Sequence, residues 1–390
     1  MRTYRELLAV PGVIRLLFAA TFPRLAYSMV SLSIFFHVQH ATGSVAAAGA
    51  AVGASSLTGA LSAGPRGKIV DRYGQTIPLY VMTPLYTTTN ILLGLFAHSP
   101  TTAVLLGLLN GACAPPINMS IRPLWKDIVG EDKVRSAYGL DSSHLNLVSL
   151  IGPVLATLVA VHINTAYALY AVAGSMLIGG LLLSTNRHSR AWQPEASEPG
   201  EDTLFRSPAM RLMALEGIAM GLASGFIIIG IPALATLNGD RGQAGPMISM
   251  MGIGSIIGTV WAGAKAKDIA PITGLRASVL LYAITLLPIA WVPIGPWMGA
   301  VLLVSSAVVG PAQVFYLETV DLVRPRGTAV AALGTLWMIE GTAAAMSQAL
   351  GGNIAEFASP HITLLLGSIL VFLSPLIFSI GMRTVLRSAT

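Results

Sequence analysis

Residues 67–74 read Gly-Lys-Ile-Val-Asp-Arg-Tyr-Gly, a charged segment in a chain of which only 10% is charged and 54% is hydrophobic. The segment separates two apolar stretches, 45–65 and 76–97, and each has the roughly 20 residues that a helix needs to cross a bilayer. Its two glycines permit a tight turn and close helix contact, and Asp71 can sit at a helix N-terminus or pair with a cation. The segment therefore predicts a polar loop between two membrane-spanning helices.

The rest of the chain repeats this pattern of apolar stretches joined by short polar loops. A soluble domain carries about 25% charged residues, so the composition predicts an integral membrane protein. Backbone groups find no water in lipid, which favours helices. We expect an all-α fold of twelve transmembrane helices, numbered here as spans one to twelve: 12–37, 45–65, 76–97, 101–124, 139–162, 164–185, 209–236, 244–264, 273–293, 297–318, 328–351 and 361–382.

The net charge of +6 does not indicate nucleic-acid binding, because the basic residues are concentrated in alternate loops. If the N-terminus is cytoplasmic, nearly all loop Lys and Arg residues fall on the cytoplasmic side, and only Arg241 falls in a loop on the other side. This asymmetry follows the positive-inside rule. It predicts an even number of spans and places both termini in the cytoplasm.

The longest hydrophilic stretch, 186–207, is rich in charge, proline and serine, and we interpret it as a cytoplasmic linker. It would join an N-terminal six-helix half, 1–185, to a C-terminal half, 208–390. The halves are weakly alike, since glycines recur in spans two and eight, where small residues let helices approach closely. Parallel repeats with a binding site between them near mid-membrane are a transporter architecture.

The loop after span two resembles the Gly-x-x-x-Asp-Arg-x-Gly pattern of the major facilitator superfamily. Gly67, Asp71, Arg72 and Gly74 match, whereas Gln75 and the residue after it stand where the family usually has basic residues. The resemblance implies a monomer of two pseudo-symmetric six-helix bundles in a bacterial inner membrane, without a cofactor. It also implies that these four residues act as a conformational latch.

A second pattern lies in span five. Gly152-Pro153 resembles the core of a motif found in drug–proton antiporters, although the flanking glycines are absent. A Gly-Pro pair in a transmembrane helix can also simply be a kink. The resemblance favours efflux, and both interpretations stay open.

Polar residues within spans are functional candidates, because charge at bilayer depth costs at least ~2.5 kcal/mol. Thr21, Arg24, Tyr27 and Ser28 follow helical spacing on one face of span one, which we expect to line a central cavity. Arg24 either holds an anionic substrate group or controls a nearby acid. Alternatively, it belongs to a structural ion pair.

Span four carries Asn118 and Arg122 on one predicted face, and span five begins with Asp141. Arg122 and Asp141 should lie at similar depth near the cytoplasmic end. We therefore predict a pair between them, which is more often structural than substrate-binding.

Two further carboxylates lie within spans of the C-terminal half. Glu340 is central in span eleven, near Trp337, and Glu216 lies in span seven. Burial favours the protonated form of a carboxylate, so Glu340, Glu216 and Asp141 are candidates for proton coupling. Glu216 and Trp337 are also candidate cavity residues.

These features predict a secondary transporter, with proton-coupled export of a small organic molecule as the first hypothesis. Uptake or facilitated transport of an anionic nutrient through Arg24 is the second. A non-transporting receptor or lipid-handling protein is the third. The sequence has no nucleophile motif, phosphate-binding loop or metal-ligand spacing, and its single cysteine is Cys113. We therefore expect neither an enzyme nor a metal site.

Overall fold

The computed structural model describes residues 6–191, 207–265, 269–324 and 329–389. Helices cover nearly all of this part, and no strand occurs in it. The helices, labelled α1 to α16, are Val13–Thr42, Val45–Leu61, Ala63–Tyr73, Thr76–Phe96, Pro100–Ala112, Ile117–Val129, Glu131–His162, Thr165–Ser184, Arg187–Ala191, Pro208–Leu237, Ala244–Lys265, Pro271–Leu286, Pro296–Val323, Ala329–Phe357, Pro360–Val371 and Leu373–Ala389.

The predicted all-α membrane fold is confirmed, and each of the twelve predicted spans falls on helix. Within the described ranges, eight helices are long and apolar enough to cross a membrane, or nine if one bent pair is counted as a single span. That pair is α2 and α3, which meet at 42°. The count of twelve is consistent with this architecture.

Span four is not one continuous helix. It divides into α5, which ends at Ala112, and α6, which begins at Ile117. Pro115 and Pro116 lie in the gap, and neither has the N–H that would continue the hydrogen-bond ladder. Asn118 and Arg122, which were predicted on one face of this span, both lie after the break, in α6.

Buried apolar residues form one cluster that is mostly N-terminal and two clusters that are entirely C-terminal. The apolar core is thus divided largely between the two halves of the chain, and the first cluster also includes a few residues of α10, α11 and α14. The predicted linker lies mostly outside the described residues, so its boundaries stay a prediction.

Close glycine contacts join the two bundles. A Cβ on Gly49 of α2 would lie 2.7 Å from the Cα of Gly352 in α14, and one on Gly53 would lie 2.6 Å from the carbonyl oxygen of Ala345. Similarly, a Cβ on Gly245 in α11 would lie 2.4 Å from the Pro153 carbonyl oxygen in α7. Helices approach this closely in lipid only where side chains are small.

We predict that Gly49→Val separates the bundles at the end where α1 finishes and α2 begins, because the new side chain meets the backbone of α14. Spin labels on His40→Cys and Ala358→Cys in a Cys113→Ser background would report a longer distance by electron resonance. Gly174→Val is the matched control, since no atom lies within 4 Å of a Cβ built there. An unchanged distance in Gly49→Val would contradict the prediction.

Candidate transport site

Arg24 of α1 is the centre of a buried polar network in the N-terminal bundle. Its Nη2 atom donates to Oδ1 of Asp141 on α7 at 2.7 Å, and the two side chains are only 1% and 6% exposed. This contact matches the predicted alternative in which Arg24 belongs to an ion pair. Its positive charge is already balanced by a carboxylate.

The neighbouring side chains complete the network. Nη1 of Arg24 lies 2.8 Å from Nδ1 of His144, whose Nε2 lies 2.9 Å from Oγ1 of Thr21. Nε of Arg24 donates to Oδ1 of Asn118 at 3.4 Å. The structure therefore brings together four predicted residues and adds His144, which stands one helical turn after Asp141. The sequence places His144 with Asp141 at the start of span five, but it assigned no role to His144.

Asp141 uses Arg24 as its partner, whereas the sequence predicted Arg122. The side chain of Arg122 lies outside the described residues, so its own partner is not assigned. Arg24 is deeply buried, and an unpaired buried charge costs several kcal/mol. Burial therefore explains why the carboxylate is found beside the cation of α1.

Tyr27 and Ser28, the remaining predicted residues of α1, contact backbone atoms of neighbouring helices. The Tyr27 hydroxyl donates to the carbonyl of Pro115 at the break in span four. The Ser28 hydroxyl donates to Leu25 within its own helix at 2.9 Å, and lies 3.4 Å from the carbonyl of Val148 on α7. These contacts fix α1 against its neighbours.

A cavity of about 310 Å³ adjoins this part of α1. It is bounded by α1 and α2, by Arg66 of α3, by Tyr86 of α4 and by the break in span four. Two predicted residues, Tyr27 and Asn118, line it. The predicted polar face of α1 is therefore divided between this cavity and the Arg24 network.

The C-terminal bundle holds a different kind of polar cluster. Glu216 of α10 is 4% exposed, and Ser374 donates to its Oε1 at 3.0 Å. Glu340 of α14 packs against α10 beside Glu216, since its Cβ lies 3.8 Å from a Cβ built on Gly217, and Tyr316 packs against the apolar cluster around this part of α10. The buried Tyr316 hydroxyl has no hydrogen-bond partner within the described ranges.

Trp337, also predicted at this site, precedes Glu340 on α14 by three residues. Its side chain is 52% exposed, so the bundle does not enclose it. Of the predicted C-terminal residues, the structure thus groups Glu216 with Glu340 and leaves Trp337 outside their cluster.

The loop predicted to act as a latch is largely helical. Gly67 lies within α3, with no atom within 4 Å of a Cβ built on it, so the predicted turn and close contact at this glycine are wrong. Gly74 ends the helix with φ of 74°, which favours glycine. Arg72 lies 5.3 Å from the ring centre of Tyr73, and the side chain of Asp71 is outside the described residues.

Gly152 and Pro153 lie inside α7 at a meeting point of three helices. A Cβ on Gly152 would lie 1.8 Å from Oγ of Ser28 in α1. The Pro153 carbonyl oxygen lies 2.4 Å from a Cβ built on Gly245, across the interface between the bundles. The pair therefore serves close packing between helices as well as between the bundles.

A carboxylate that the sequence did not indicate lies at the bundle interface. Oε2 of Glu356 in α14 accepts from the Ser44 hydroxyl and from the Ala46 N–H, each at 2.7 Å. Both donors lie at the N-terminus of α2, where unpaired N–H groups favour a negative charge. A capping contact between distant segments leaves no local pattern, and only the solitary acid near the end of span eleven hinted at it.

Residues 16–345 match the family model described as Major Facilitator Superfamily. The chain belongs to the major facilitator superfamily. This membership confirms the predicted family and identifies the chain as a multi-pass membrane transporter rather than an enzyme.

Curated relatives include other members of the superfamily. An uncharacterized MFS-type transporter, y4rN of Sinorhizobium fredii, is 24% identical over 90% of each chain. The multidrug efflux pump Tap of Mycolicibacterium fortuitum is 23% identical over 70% of this chain and 71% of its own.

Solved transporters share the fold of this major facilitator protein. The crystal structure of the nucleoside transporter NupG has a TM-score of 0.76 and 14% identity, covering 95% of this chain and 98% of its own. A POT family transporter in complex with 5-aminolevulinic acid has a TM-score of 0.73 and 13% identity, covering 96% and 97%. At these identities the likeness establishes the fold alone.

In this major facilitator protein, we predict that Arg24→Ala or Asp141→Ala costs about 3–5 kcal/mol of stability, because each leaves a buried charge without its partner. Replacing both residues with leucine should recover most of the loss. Apparent Tm of the purified protein measures the effect. Arg324→Ala is the control, since the Arg324–Asp321 pair is more exposed and should contribute less than ~1 kcal/mol. If Arg24→Ala and Arg324→Ala lower Tm by the same amount, the prediction that the buried ion pair stabilises the protein more than the exposed one is wrong.

We predict that Glu356→Gln weakens the contact between α14 and α2, because a neutral amide is a poorer acceptor for a helix N-terminus than a carboxylate. The spin-label pair at positions 40 and 358 should report a broader, longer distance distribution. Glu318→Gln, on an exposed carboxylate of α13, should leave the distribution unchanged. If Glu356→Gln gives the same distance distribution as the parent protein, the Glu356 contact does not help to hold α14 against α2.

Proposed function

We propose that this major facilitator protein exports small organic molecules in exchange for protons by alternating access. It would lie in a bacterial inner membrane with both termini in the cytoplasm, as its loop charges favour. The observation that carries proton coupling is the cluster of Glu216, Glu340 and Tyr316 in the C-terminal bundle. The similarity to a multidrug efflux pump favours export.

The acidic cluster has the chemistry that a proton carrier needs. Transfer away from water favours the neutral form of a carboxylate, and a second carboxylate nearby disfavours a double negative charge. Within the described residues, Glu216 has a serine hydroxyl as its hydrogen-bond donor. Gain or loss of one proton therefore changes the net charge inside the bundle, which can favour one orientation of the transporter over the other.

Asp141 is a weaker candidate for the same role. Its carboxylate already accepts the Arg24 guanidinium at 2.7 Å and is only 6% exposed. We therefore assign proton coupling to Glu216 and Glu340 and leave Asp141 as part of the N-terminal network.

The bundle interface provides a path for alternating access. The glycine contacts between α2 and α14, and between α7 and α11, are close but lack large interlocking side chains. Such surfaces can slide or rock without unpacking either core. The residues Gly67, Asp71, Arg72 and Gly74 would act as the cytoplasmic latch.

Uptake of an anionic nutrient through Arg24 is less well supported. An anion at Arg24 would have to displace Asp141 or bind to a cation whose charge is already balanced. If Arg24 nevertheless binds a carboxylate, Arg24→Lys should abolish transport, because lysine cannot reproduce the bidentate geometry of arginine.

We predict that efflux-deficient cells expressing the protein accumulate less of at least one compound in a panel of fluorescent dyes and antibiotics. A protonophore, Glu340→Gln or Glu216→Gln should each restore accumulation, because proton coupling requires a titrating carboxylate. Asp71→Asn should reduce export through the latch. Glu318→Gln is the matched control for loss of one C-terminal carboxylate and should export normally.

The outcomes separate the parts of this proposal. Export that survives both glutamine variants but not the protonophore would move the proton site to Asp141. Export that survives the protonophore would exclude proton coupling. No response to any compound, with the protein verified in the membrane, would count against drug export.

A further inference from the structure

Arg66 is the cationic side chain of the 310 Å³ cavity in the N-terminal bundle. Its guanidinium donates to three carbonyl oxygens: Ser62 at 3.2 Å, Gly59 at 2.6 Å and Ala114 at the break in span four. Carbonyls satisfy hydrogen bonds but carry no formal charge. Unlike Arg24, Arg66 forms no ion pair with any carboxylate whose side chain the structure describes.

The geometry leaves Arg66 able to bind a further group. An arginine side chain has five N–H donors, and the three carbonyls account for three of them. The side chain is half-buried, so its remaining donors are only partly hydrated. A positive charge held in place by backbone carbonyls at a cavity wall is preorganised for an anion.

The other walls suit a flat, partly apolar molecule. The rings of Tyr27 and Tyr86 meet edge to face, with centroids 5.8 Å apart, and both line the cavity. Ser31 and Ser55 add hydroxyl groups. Asn118 turns its oxygen toward Arg24, so its amide nitrogen can donate to a ligand.

We infer that this cavity binds a small organic anion with a flat apolar body, and that Arg66 holds its carboxylate. The inference rests on the proposed function, for which it names a substrate class. It moves the predicted anion site from Arg24, whose charge is balanced, to Arg66. The volume is at the lower end of the range for ligand pockets, roughly 300–1,000 Å³, and admits a single-ring carboxylate such as benzoate.

The test uses purified full-length protein in nanodiscs and two probes of matched shape, benzoate and benzamide. Binding of radiolabelled benzoate, with benzamide as competitor, should show roughly tenfold or greater preference for the anion, as expected for a charge-assisted contact. Arg66→Gln should abolish that preference. Arg66→Lys should retain part of it, because the charge persists without the planar fork.

Two further variants separate binding from folding. Arg276→Gln removes one positive charge from the C-terminal bundle and should leave the preference intact. Ser31→Leu fills the cavity without altering the hydrogen bonds of Arg66, and should weaken both probes equally. If Arg66→Gln does not fold, the Arg66→Lys and Ser31→Leu results still decide the question.

Equal binding of benzoate and benzamide to the parent protein would overturn the inference. Full benzoate preference in Arg66→Gln would also overturn it. These failures are distinguishable from failure of the proposed function, because binding is measured without a gradient. If the parent protein prefers benzoate but exports no compound, the export proposal is rejected and the anion site stands. If it exports a compound but shows no preference for benzoate, only the anion site is rejected.

Discussion

The ion pair between Arg24 and Asp141 shows the constraint under which the whole N-terminal bundle is built. Both side chains are almost completely shielded from solvent, so each charge needs the other as its partner. The pair joins α1 to α7, and His144 and Asn118 attach to the same guanidinium. Three helices are therefore held in one register by a single cation, and the shape of the neighbouring cavity depends on that register.

The break in span four follows from the same constraint. Two consecutive prolines interrupt the helical ladder and release carbonyl groups within the bundle. Those carbonyls are satisfied from the side, Ala114 by Arg66 and Pro115 by Tyr27. The chain thus places a cation and a phenol beside an opening that a continuous helix would have closed.

The sequence was sufficient to predict the helices, the membrane environment and the family, because these depend on apolar length and on a local motif. It also singled out Arg24, Asp141, Glu216 and Glu340, since charged residues within apolar spans are rare, and their roles stay predictions. It did not predict which of them would pair. The choice of Arg24 for Asp141 depends on helix rotation and burial, and the break at Pro115-Pro116 changes both for residues that follow it.

Contacts between distant segments were the least predictable part of the site. Glu356 and the N-terminus of α2 are separated by most of the chain, and a single acid near a span end is ordinary in a membrane protein. Arg66 adjoins the motif loop, where the positive-inside rule already accounts for a basic residue. Only the three-dimensional structure shows that this arginine turns inward to the broken helix.

The two bundles carry their polar groups in different ways, and the difference bears on mechanism. In the N-terminal bundle, the cation at the centre of the network is matched by an acid. In the C-terminal bundle, two acids and a phenol lie together, and a serine is the hydrogen-bond donor that the described contacts provide. In the mechanism proposed above, a proton is gained or lost in the second bundle. In that mechanism, the glycine contacts between the bundles would let them change their relative orientation, while the Arg24–Asp141 pair would keep the cavity beside it intact.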